Sequence, residues 1–425
     1  MHNKHLQAFL TVLSFSLALH GSQASLAHLQ TVAHQKHPLL KKEALGIANA
    51  HTQKRLASAS LFPQITIAQT NTTSRAYRTS ETTRSHTLSL QGSQIIFAPG
   101  GPLSERTKAT HDIALSKYSL IKQQNAVRYE VTCAFLDAWL LQEEKATLEA
   151  HVAYTKALCA QAHAQSCTGA ADKHNVAAQA LAHQKSNARL VAHADREQAA
   201  HQLLMRQIGS TVPISHLSYT PETMPPLLLQ EEYYAQACAA RPEVATLHEA
   251  MKKQDVTTTA LKAGHLPRVS LDTQLSCPLT TESVDPFLSL SVTINMPIFD
   301  GGQRKLKAEH SSAKRQQLVF EKQHLMHTIK SDVFSAYAHC ITAQQAVSTA
   351  AYAVQETNYR YEAACIDAKT GRRSEIDLLQ ATYLLSASRY EHTKALISLR
   401  KAREKLLFVC GYPEQEHCKT RNTGE

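Results

Sequence analysis

Glycine and large aromatic residues are scarce in this chain of 425 residues, which contains 13 glycines, 10 phenylalanines and one tryptophan. Long tracts are rich instead in alanine, glutamine, lysine, leucine and histidine. These residues favour helices and supply few of the large side chains that fill a globular core. The composition therefore predicts extended helices, not the two or three globular domains that the length alone would suggest.

The sequence also lacks the short motifs that accompany catalysis, since no phosphate-binding loop, GxGxxG, GxSxG or HExxH occurs. His34 and His37, like His324 and His327, have the spacing of two metal ligands on one helix face, but no acidic or cysteine partners follow at metal-site spacing. With 24 histidines in the chain, chance pairs are expected. We therefore expect no enzyme, no cofactor and no metal site. The alternative of a metal-binding enzyme requires stoichiometric zinc and a role for His324.

The sequence also lacks the cysteine pattern of a disulfide framework and the motifs of a nucleic-acid-binding protein. The nine cysteines are odd in number, form no CxxC and lie mostly in helical tracts, where cysteine acts as a small apolar residue. Only Cys410 and Cys418 suit a local bridge in an oxidising compartment. The net charge of +10 comes from basic residues scattered among carboxylates, which is typical of solvated helix faces, so we expect no nucleic-acid partner.

The N-terminus has the pattern of an export signal. Lys4 precedes an apolar run from Leu6 to Leu19, and Ser22-Gln23-Ala24 supplies the small residues of a cleavage site. We expect cleavage after Ala24. Because no later apolar stretch reaches about 18 residues, the sequence predicts that the exported chain enters a membrane, if at all, as a barrel of strands.

The chain repeats one structural plan twice. The offset between the halves is 204 residues at first (242−38) and 202 later (299−97), and a loop absorbs the difference. The matching landmarks are His37-Pro38 with Arg241-Pro242, Leu61–Ile65 with His265–Val269, Ile96-Phe97 with Ile298-Phe299, Val131–Phe135 with Val333–Tyr337, Gly169 with Gly371, and Gly209 with Gly411.

Each half is predicted to contain two strands and long helices. Leu288, Leu290, Val292, Ile294 and Met296 alternate with polar residues, as in a strand with one apolar face. No proline or glycine interrupts the residues from Leu103 to Cys167, which therefore form one long helix. The other predicted strands are Ile65–Thr70, Thr87–Phe97 and Val269–Ser276, and the other predicted helices are Asp172–Ile208, Glu231–Gly264 and Lys305–Lys369.

These elements predict five parts along the chain. They are a signal peptide (1–24), a first repeat (25–209) with a helix, a strand hairpin at 65–97 and a helical hairpin at 103–208, a linker (210–230), a second repeat (231–411) with a helix, a strand hairpin at 269–299 and a helical hairpin at 305–410, and a tail (412–425).

Four strands cannot close a membrane barrel, which takes at least about eight, so several copies must contribute. Amphipathic, alanine-rich helices suit close side-by-side packing. The sequence therefore predicts a mainly α fold with a small β part, in which an α-helical barrel of long coiled-coil hairpins continues a transmembrane β-barrel. The alternative is a periplasmic coiled-coil structural or adaptor protein without a membrane barrel, which would be extracted without detergent.

Five segments, in order and at the expected spacing, resemble the TolC-type outer membrane efflux family. The resemblance covers nearly the whole exported chain and implies a homotrimer, with a twelve-stranded barrel in outer membrane lipid and a helical tunnel through the periplasm. It also implies a passive exit duct for efflux or type I secretion that works with a periplasmic adaptor and an inner membrane pump. The segments are "RPEVATL" (241–247), "LPRVSL" (266–271), "NMPIFDGGQ" (295–303), "VFSAYAHCITAQQAV" (333–347) and "TGRRSEIDLLQATYLL" (370–385).

The same resemblance implies a periplasmic gate at Asp377 and Arg373. A threefold ring of Asp377 carboxylates would narrow the pore and favour cations. Gln380 stands where family members carry a second aspartate, and Asn175 occupies the Asp377 position of the first repeat. An Arg373–Asn175 contact would be neutral and weaker than a charged pair. The alternative role of Asp377 is that of a carboxylate at a helix start.

Two further groups of residues follow from the resemblance. Small residues at the helical tips would meet the coiled-coil hairpin of the adaptor, and glycines would allow the tight turns from barrel to tunnel. The tip residues are Thr168, Gly169, Ala170, Thr370, Gly371 and Arg372, and the turn residues are Pro99, Gly100, Gly101, Pro297, Gly301 and Gly302.

Overall fold

The computed structural model describes residues 25–75, 77, 82–168, 172–209, 217–220, 225–279 and 285–412. The predicted signal peptide, most of the predicted linker, Gly169, Ala170 and Cys418 lie outside these ranges. Among the helices within them, none has both the length and the apolar character needed to cross a membrane.

Helices dominate the described residues, and one small sheet accompanies them. The helices are α1 (Leu26–Lys36), α2 (Pro38–Ala59), α3 (Pro102–Cys167), α4 (Lys173–Ile208), α5 (Gln230–Ala240), α6 (Pro242–Lys262), α7 (Gln303–Lys369) and α8 (Glu375–Val409), and the strands are β1 (Gln64–Arg75), β2 (Thr82–Phe97), β3 (Arg268–Pro278) and β4 (Phe287–Asn295). The predicted fold class, mainly α with a small β part, is confirmed.

One predicted helix is wrong. The tract from Glu231 to Gly264 is two helices, α5 and α6, followed by a short 3₁₀ turn. The break lies at Arg241, whose φ of −65° and ψ of 124° are extended. Proline restricts the residue before it to such conformations, so Pro242 starts a new helix instead of continuing the old one. His37 separates α1 from α2 in the same way, with φ −60° and ψ 125° before Pro38.

The four strands form one antiparallel sheet in the order β1-β2-β3-β4. The two halves of the chain meet at its centre, where Leu90 of β2 pairs with Leu275 of β3. The first hairpin is longer than predicted, because β1 extends to Arg75 and pairs there with Thr82. The second is shorter, because β4 ends at Asn295, just before the Met296-Pro297 step. Proline has no N–H for a ladder bond, so the predicted hairpin to residue 299 stops early.

The chain divides into two compact units. The sheet unit comprises residues 42–121 and 242–327, and the hairpin unit comprises residues 1–41, 122–241 and 328–425, each within the described ranges. The helices α3 and α7 contribute residues to both units.

The hairpin unit shows the internal repeat in its packing. Pairs of buried residues recur at the offset of 202 (333−131), and the buried side chains are mostly small or aliphatic. This recurrence confirms that the two halves share one plan. The pairs are Val131 with Val333, Ala134 with Ala336, Leu204 with Leu406, and Ile208 with Cys410.

A hydroxyl pair within each helical hairpin repeats at the same offset. Thr155 Oγ1 of α3 lies 2.7 Å from Ser186 Oγ of α4. Thr357 Oγ1 of α7 lies 2.6 Å from Ser388 Oγ of α8. Both offsets are 202 (357−155, 388−186), so the two hairpins join their helices in the same register.

Candidate functional site: helical tips and strand–helix turns

The second helical tip is a tight reversal between α7 and α8. Gly371 has a φ of 70°, which only glycine adopts readily. The N–H of Gly371 donates to Ala368 O at 3.2 Å, and the N–H of Arg372 donates to Asp367 O at 2.9 Å. These two bonds satisfy carbonyl groups at the end of α7, as in a Schellman motif. The tip is therefore a short turn of defined shape.

Asp377 starts the returning helix α8. Its carboxylate accepts hydrogen bonds from Ser374 N at 3.1 Å and from Ser374 Oγ at 3.0 Å. In return, the N–H of Asp377 donates to Ser374 Oγ at 3.3 Å. This reciprocal arrangement is a capping box, so Asp377 stabilises the helix start within a single chain.

Three of the four predicted gate residues lie together. Arg373, Asp377 and Gln380 line an open groove of about 380 Å³ between α7 and α8, and Arg360 of α7 also lines it. The side chain of Arg373 forms an ion pair with Asp367, with its Nε 3.0 Å from Asp367 Oδ2. Arg373 is thus engaged by a carboxylate of its own hairpin, whereas the sequence suggested the amide of Asn175.

The first helical tip differs in its chemistry. Thr168 Oγ1 donates to Gln165 O at 2.9 Å at the end of α3, and the structure does not describe residues 169–171. Asp172 precedes α4 without a side-chain cap bond. Asn175 occupies the position of Asp377 at the offset of 202 (377−175), so this tip has no carboxylate where the second tip has its capping box.

The double glycines of the two strand–helix turns do not occupy the same positions of the turn, because they are displaced by one residue. The N–H of Gly101 donates to Ala98 O at 3.0 Å, and the N–H of Gln303 donates to Asp300 O at 3.2 Å. Gly101 therefore corresponds to Gln303, and Gly100 corresponds to Gly302.

A positive φ angle explains why glycine is present at three of the four positions in these turns. Gly100 and Gly302 have φ of 74° and 83°, and Gly301 has 61°. Gly101 has no positive φ, contrary to the conformational role we expected for it. A Cβ there would lie 3.0 Å from both the Cβ and the O of Ala98, so close approach accounts for this glycine.

Asp300 is a turn residue that the sequence reasoning missed. Its carboxylate accepts from Gly302 N at 3.1 Å and Arg304 N at 3.0 Å, and it pairs with Arg304 Nε at 2.6 Å. The hydrogen bond from the Arg304 side chain lowers the pKa of Asp300 below its ordinary value, so the carboxylate stays charged. An aspartate shortly before a predicted helix was the available signal, because aspartate is a preferred N-terminal cap.

Comparisons with known proteins agree with this architecture. Residues 233–412 match the family described as outer membrane efflux protein. The outer membrane efflux protein BepC of Brucella suis biovar 1 (strain 1330) is 21% identical over 361 residues, which are 82% of this chain and 77% of BepC.

Solved structures share the fold at lower sequence identity. The CmeC outer membrane channel of Campylobacter jejuni superposes with a TM-score of 0.76 at 14% identity, covering 96% of this chain and 94% of CmeC. The outer membrane protein VceC of Vibrio cholerae gives a TM-score of 0.73 at 15% identity, covering 91% of this chain and 96% of VceC. The chain is therefore similar in sequence to the outer membrane efflux proteins over residues 233–412, and it shares the fold of a solved outer membrane channel over nearly its whole length.

Proposed function

We propose that the chain is the outer membrane exit duct of an efflux or type I secretion system. It acts as a passive channel-tunnel through which small molecules or proteins leave the periplasm and cross the outer membrane. The observation that carries this proposal is the fold match to a solved outer membrane channel over 96% of the chain. The family match over residues 233–412 supports it independently.

The sheet unit suits an assembly of several copies. Its four strands leave β1 and β4 with free edges, and exposed edges pair readily with other strands. The apolar residues of β4 are exposed in the single chain, as in a surface that meets lipid. Three copies of the chain would supply the twelve strands of one barrel, with these side chains in outer membrane lipid. The exposed residues are Leu288, Leu290, Val292 and Ile294.

The tips are the proposed periplasmic end of the duct. Thr168, Gly169, Ala170, Thr370, Gly371 and Arg372 would dock a periplasmic adaptor, which in turn connects the duct to an inner membrane pump. The small side chains in this set allow the close backbone approach that helix packing against a partner requires.

Asp377 is the proposed gate residue, in addition to its role in starting α8. Three Asp377 carboxylates around the pore axis would repel one another and attract cations. Arg373, Gln380 and Asn175 would surround this ring. The Arg373–Asp367 ion pair fixes the arginine beside the groove that Asp377 lines.

Channel recordings in planar bilayers test the gate. Asp377→Ala should raise the conductance of the closed duct and lower its preference for cations, because the ring of negative charge is removed. Ser374→Ala is the matched control, since it removes the capping hydroxyl and keeps the carboxylate. If Asp377→Ala leaves conductance and selectivity unchanged, or if Ser374→Ala has the same effect, the gate assignment is wrong.

A further inference from the structure

The two faces of the sheet differ in chemistry, and the strand register shows which residues share a face. Residues that pair directly across strands point to the same face, and neighbours along one strand point to opposite faces. One row across all four strands is apolar, and the adjacent row on the opposite face is polar. In strand order, the apolar row is Ile67, Leu90, Leu275 and Leu288, and the polar row is Thr66, Gln91, Gln274 and Ser289.

The first hairpin extends beyond the rest of the sheet. The described pairing of β2 with β3 ends at Thr87, which lies opposite Pro278. Beyond that row, β1 and β2 continue to pair with each other as far as Arg75 and Thr82. The opposite ends of these two strands are connected to α2 and α3. The extension of the hairpin therefore lies at the end of the sheet away from the helices.

The apolar face changes to a basic one along this extension. Leu88 is the last apolar residue of that face on β2, and His86 and Arg84 follow it at steps of two residues. His86 Nδ1 lies 2.9 Å from Asn71 Oδ1, which shows that the two side chains share a face. Arg75 belongs to the same face of β1, because it lies four residues after Asn71. The apolar face therefore ends in two arginines.

Arg75 and Arg84 are close neighbours on this face. Arg75 pairs with Thr82, two residues from Arg84, so the two arginines are diagonal neighbours about 7–8 Å apart. Both are exposed, and neither forms an ion pair with a residue that the structure describes. Among the described strand residues, Asp272 is the only acid, and it lies on the polar face opposite Ser93. Because neighbouring like charges repel each other, the pair suits an anion that both arginines contact.

In the proposed duct, the two arginines would lie at the level of the lipid headgroups. Four residues separate Leu88 from Arg84, which is about 14 Å along the strand and about 10 Å along the membrane normal at a tilt of about 40°. A long arginine side chain then places its guanidinium in the headgroup layer, just beyond the apolar band. With the helices in the periplasm, this end of the sheet meets the outer leaflet.

We propose that Arg75 and Arg84 bind the phosphate groups of the phosphorylated glycolipid in the outer leaflet of the outer membrane. A guanidinium presents two parallel N–H donors, which match two oxygens of one phosphate. The site rests on the proposed function and adds a specific lipid contact to it.

The rest of the apolar face favours a lipid over other anions. Leu88 and Leu90 lie on the same face as the arginines and are 40% and 42% exposed, so they can contact the acyl chains of a lipid whose phosphates reach the arginines. A free phosphate ion would contact only the arginines. A neighbouring copy that extends the sheet would pair with the strand edges, whereas these side chains point out of the plane of the sheet.

Native mass spectrometry of the full exported protein in detergent tests the site, with lipid A as the probe. The wild-type protein should bind diphosphorylated lipid A and should bind dephosphorylated lipid A much more weakly. Arg75→Gln combined with Arg84→Gln should weaken binding of the diphosphorylated form about tenfold or more, because hydrogen bonds to charged groups are lost. Arg268→Gln is the matched control, since Arg268 is an exposed arginine of the polar face at the helix-connected end of β3, and it should bind as the wild type does.

Equal wild-type affinity for the two forms of lipid A would overturn the site, and this comparison needs no substitution. An equal loss of binding in Arg268→Gln and in the double variant would overturn it as well. If millimolar inorganic phosphate displaces the lipid completely, the arginines bind free phosphate and the lipid assignment is wrong. A trimer that conducts ions in planar bilayers but does not distinguish the two lipids would overturn only this site, whereas a chain that does not insert into membranes would overturn the proposed duct.

Discussion

Glycines with positive φ end both helical hairpins and pack against the proline breaks. Gly209 has φ 70° and lies against His37 and Pro38, and Gly411 has φ 79° and lies against Ala240 and Arg241. A side chain at either position is opposed both by the backbone conformation and by the neighbouring chain. The same close approach, between the glycine that ends a hairpin and the backbone at a proline break, therefore occurs in both halves of the chain.

Gly411→Ala should destabilise the protein. The left-handed conformation costs about 1–2 kcal/mol for a residue with a Cβ. In addition, the new Cβ would lie 2.9 Å from Ala240 O and 3.1 Å from Arg241 N. The midpoint of denaturant unfolding in detergent measures the change. Gly46→Ala in α2 is the control, since a Cβ there meets nothing within 4 Å, and it should stabilise by about 0.5–1 kcal/mol.

His37 should make stability depend on pH. Its buried ring accepts a hydrogen bond from Leu39 N at 3.3 Å through Nδ1, which requires the unprotonated nitrogen. Burial lowers the pKa of His37, and Glu130 partly opposes this shift. The contribution to stability is thus complete above the unfolded pKa of about 6.5 and is lost as the pH falls through the lower folded value.

Unfolding midpoints at pH 7.5 and pH 5 test this dependence. His37→Asn, which cannot titrate, should reduce the loss of stability on acidification. His51→Asn changes an exposed histidine of α2 and should keep the wild-type pH dependence. Equal pH dependence in wild type and His37→Asn would contradict the proposed role of the ring.

At the scale of elements, the sequence predicted helices and strands best where their pattern was long. The uninterrupted tract before Cys167 gave α3 within one residue of its start, and the alternation from Leu288 gave β4. The sequence prediction joined α5 and α6 into one helix despite Pro242, because the residues on both sides of the proline have a helical composition. The length of β1 was missed because residues 71–75 are polar and carry no alternating apolar signal.

The candidate site was less accessible to sequence reasoning than the fold. Spacing from Gly371 placed Arg373, Asp377 and Gln380 in one groove. The partner of Arg373 could not be read from spacing, because Asp367 reaches it across the turn of the tip. Likewise, the turn glycines were aligned as pairs, although the offset of 202 (302−100) already places Gly100 opposite Gly302, in agreement with the backbone hydrogen bonds.

The repeated hydroxyl pairs should stabilise both hairpins to a similar extent. Thr357→Val keeps the shape of the side chain and removes its bond to Ser388, so it should cost about 0.5–1.5 kcal/mol. Thr155→Val should have a comparable cost, because Ser186 is its partner in the same register. Unfolding midpoints of the two variants measure these costs.

Thr342→Val on an exposed face of α7 is the control for these variants. Its hydroxyl donates to Ala338 O of its own helix, at 3.0 Å, so its replacement should change stability little. A double-mutant cycle with Ser388→Ala should give a coupling energy for Thr357. Zero coupling would show that the pair does not join the helices.

At the scale of the whole molecule, assembly with further copies in a membrane would explain the features that are unusual in a single chain. The chain exposes large apolar residues on β4, α4 and α7, although a soluble protein would bury such residues. Neighbouring copies and a lipid surface would cover them. The repeat allows this assembly because each chain supplies two hairpins of equal construction.

The most direct test is the native mass of the exported protein extracted in detergent, combined with images of single particles. The account predicts three copies per particle and one closed barrel to which each copy contributes its four strands. A single water-soluble molecule that needs no detergent and whose two halves cover each other's apolar faces would contradict it.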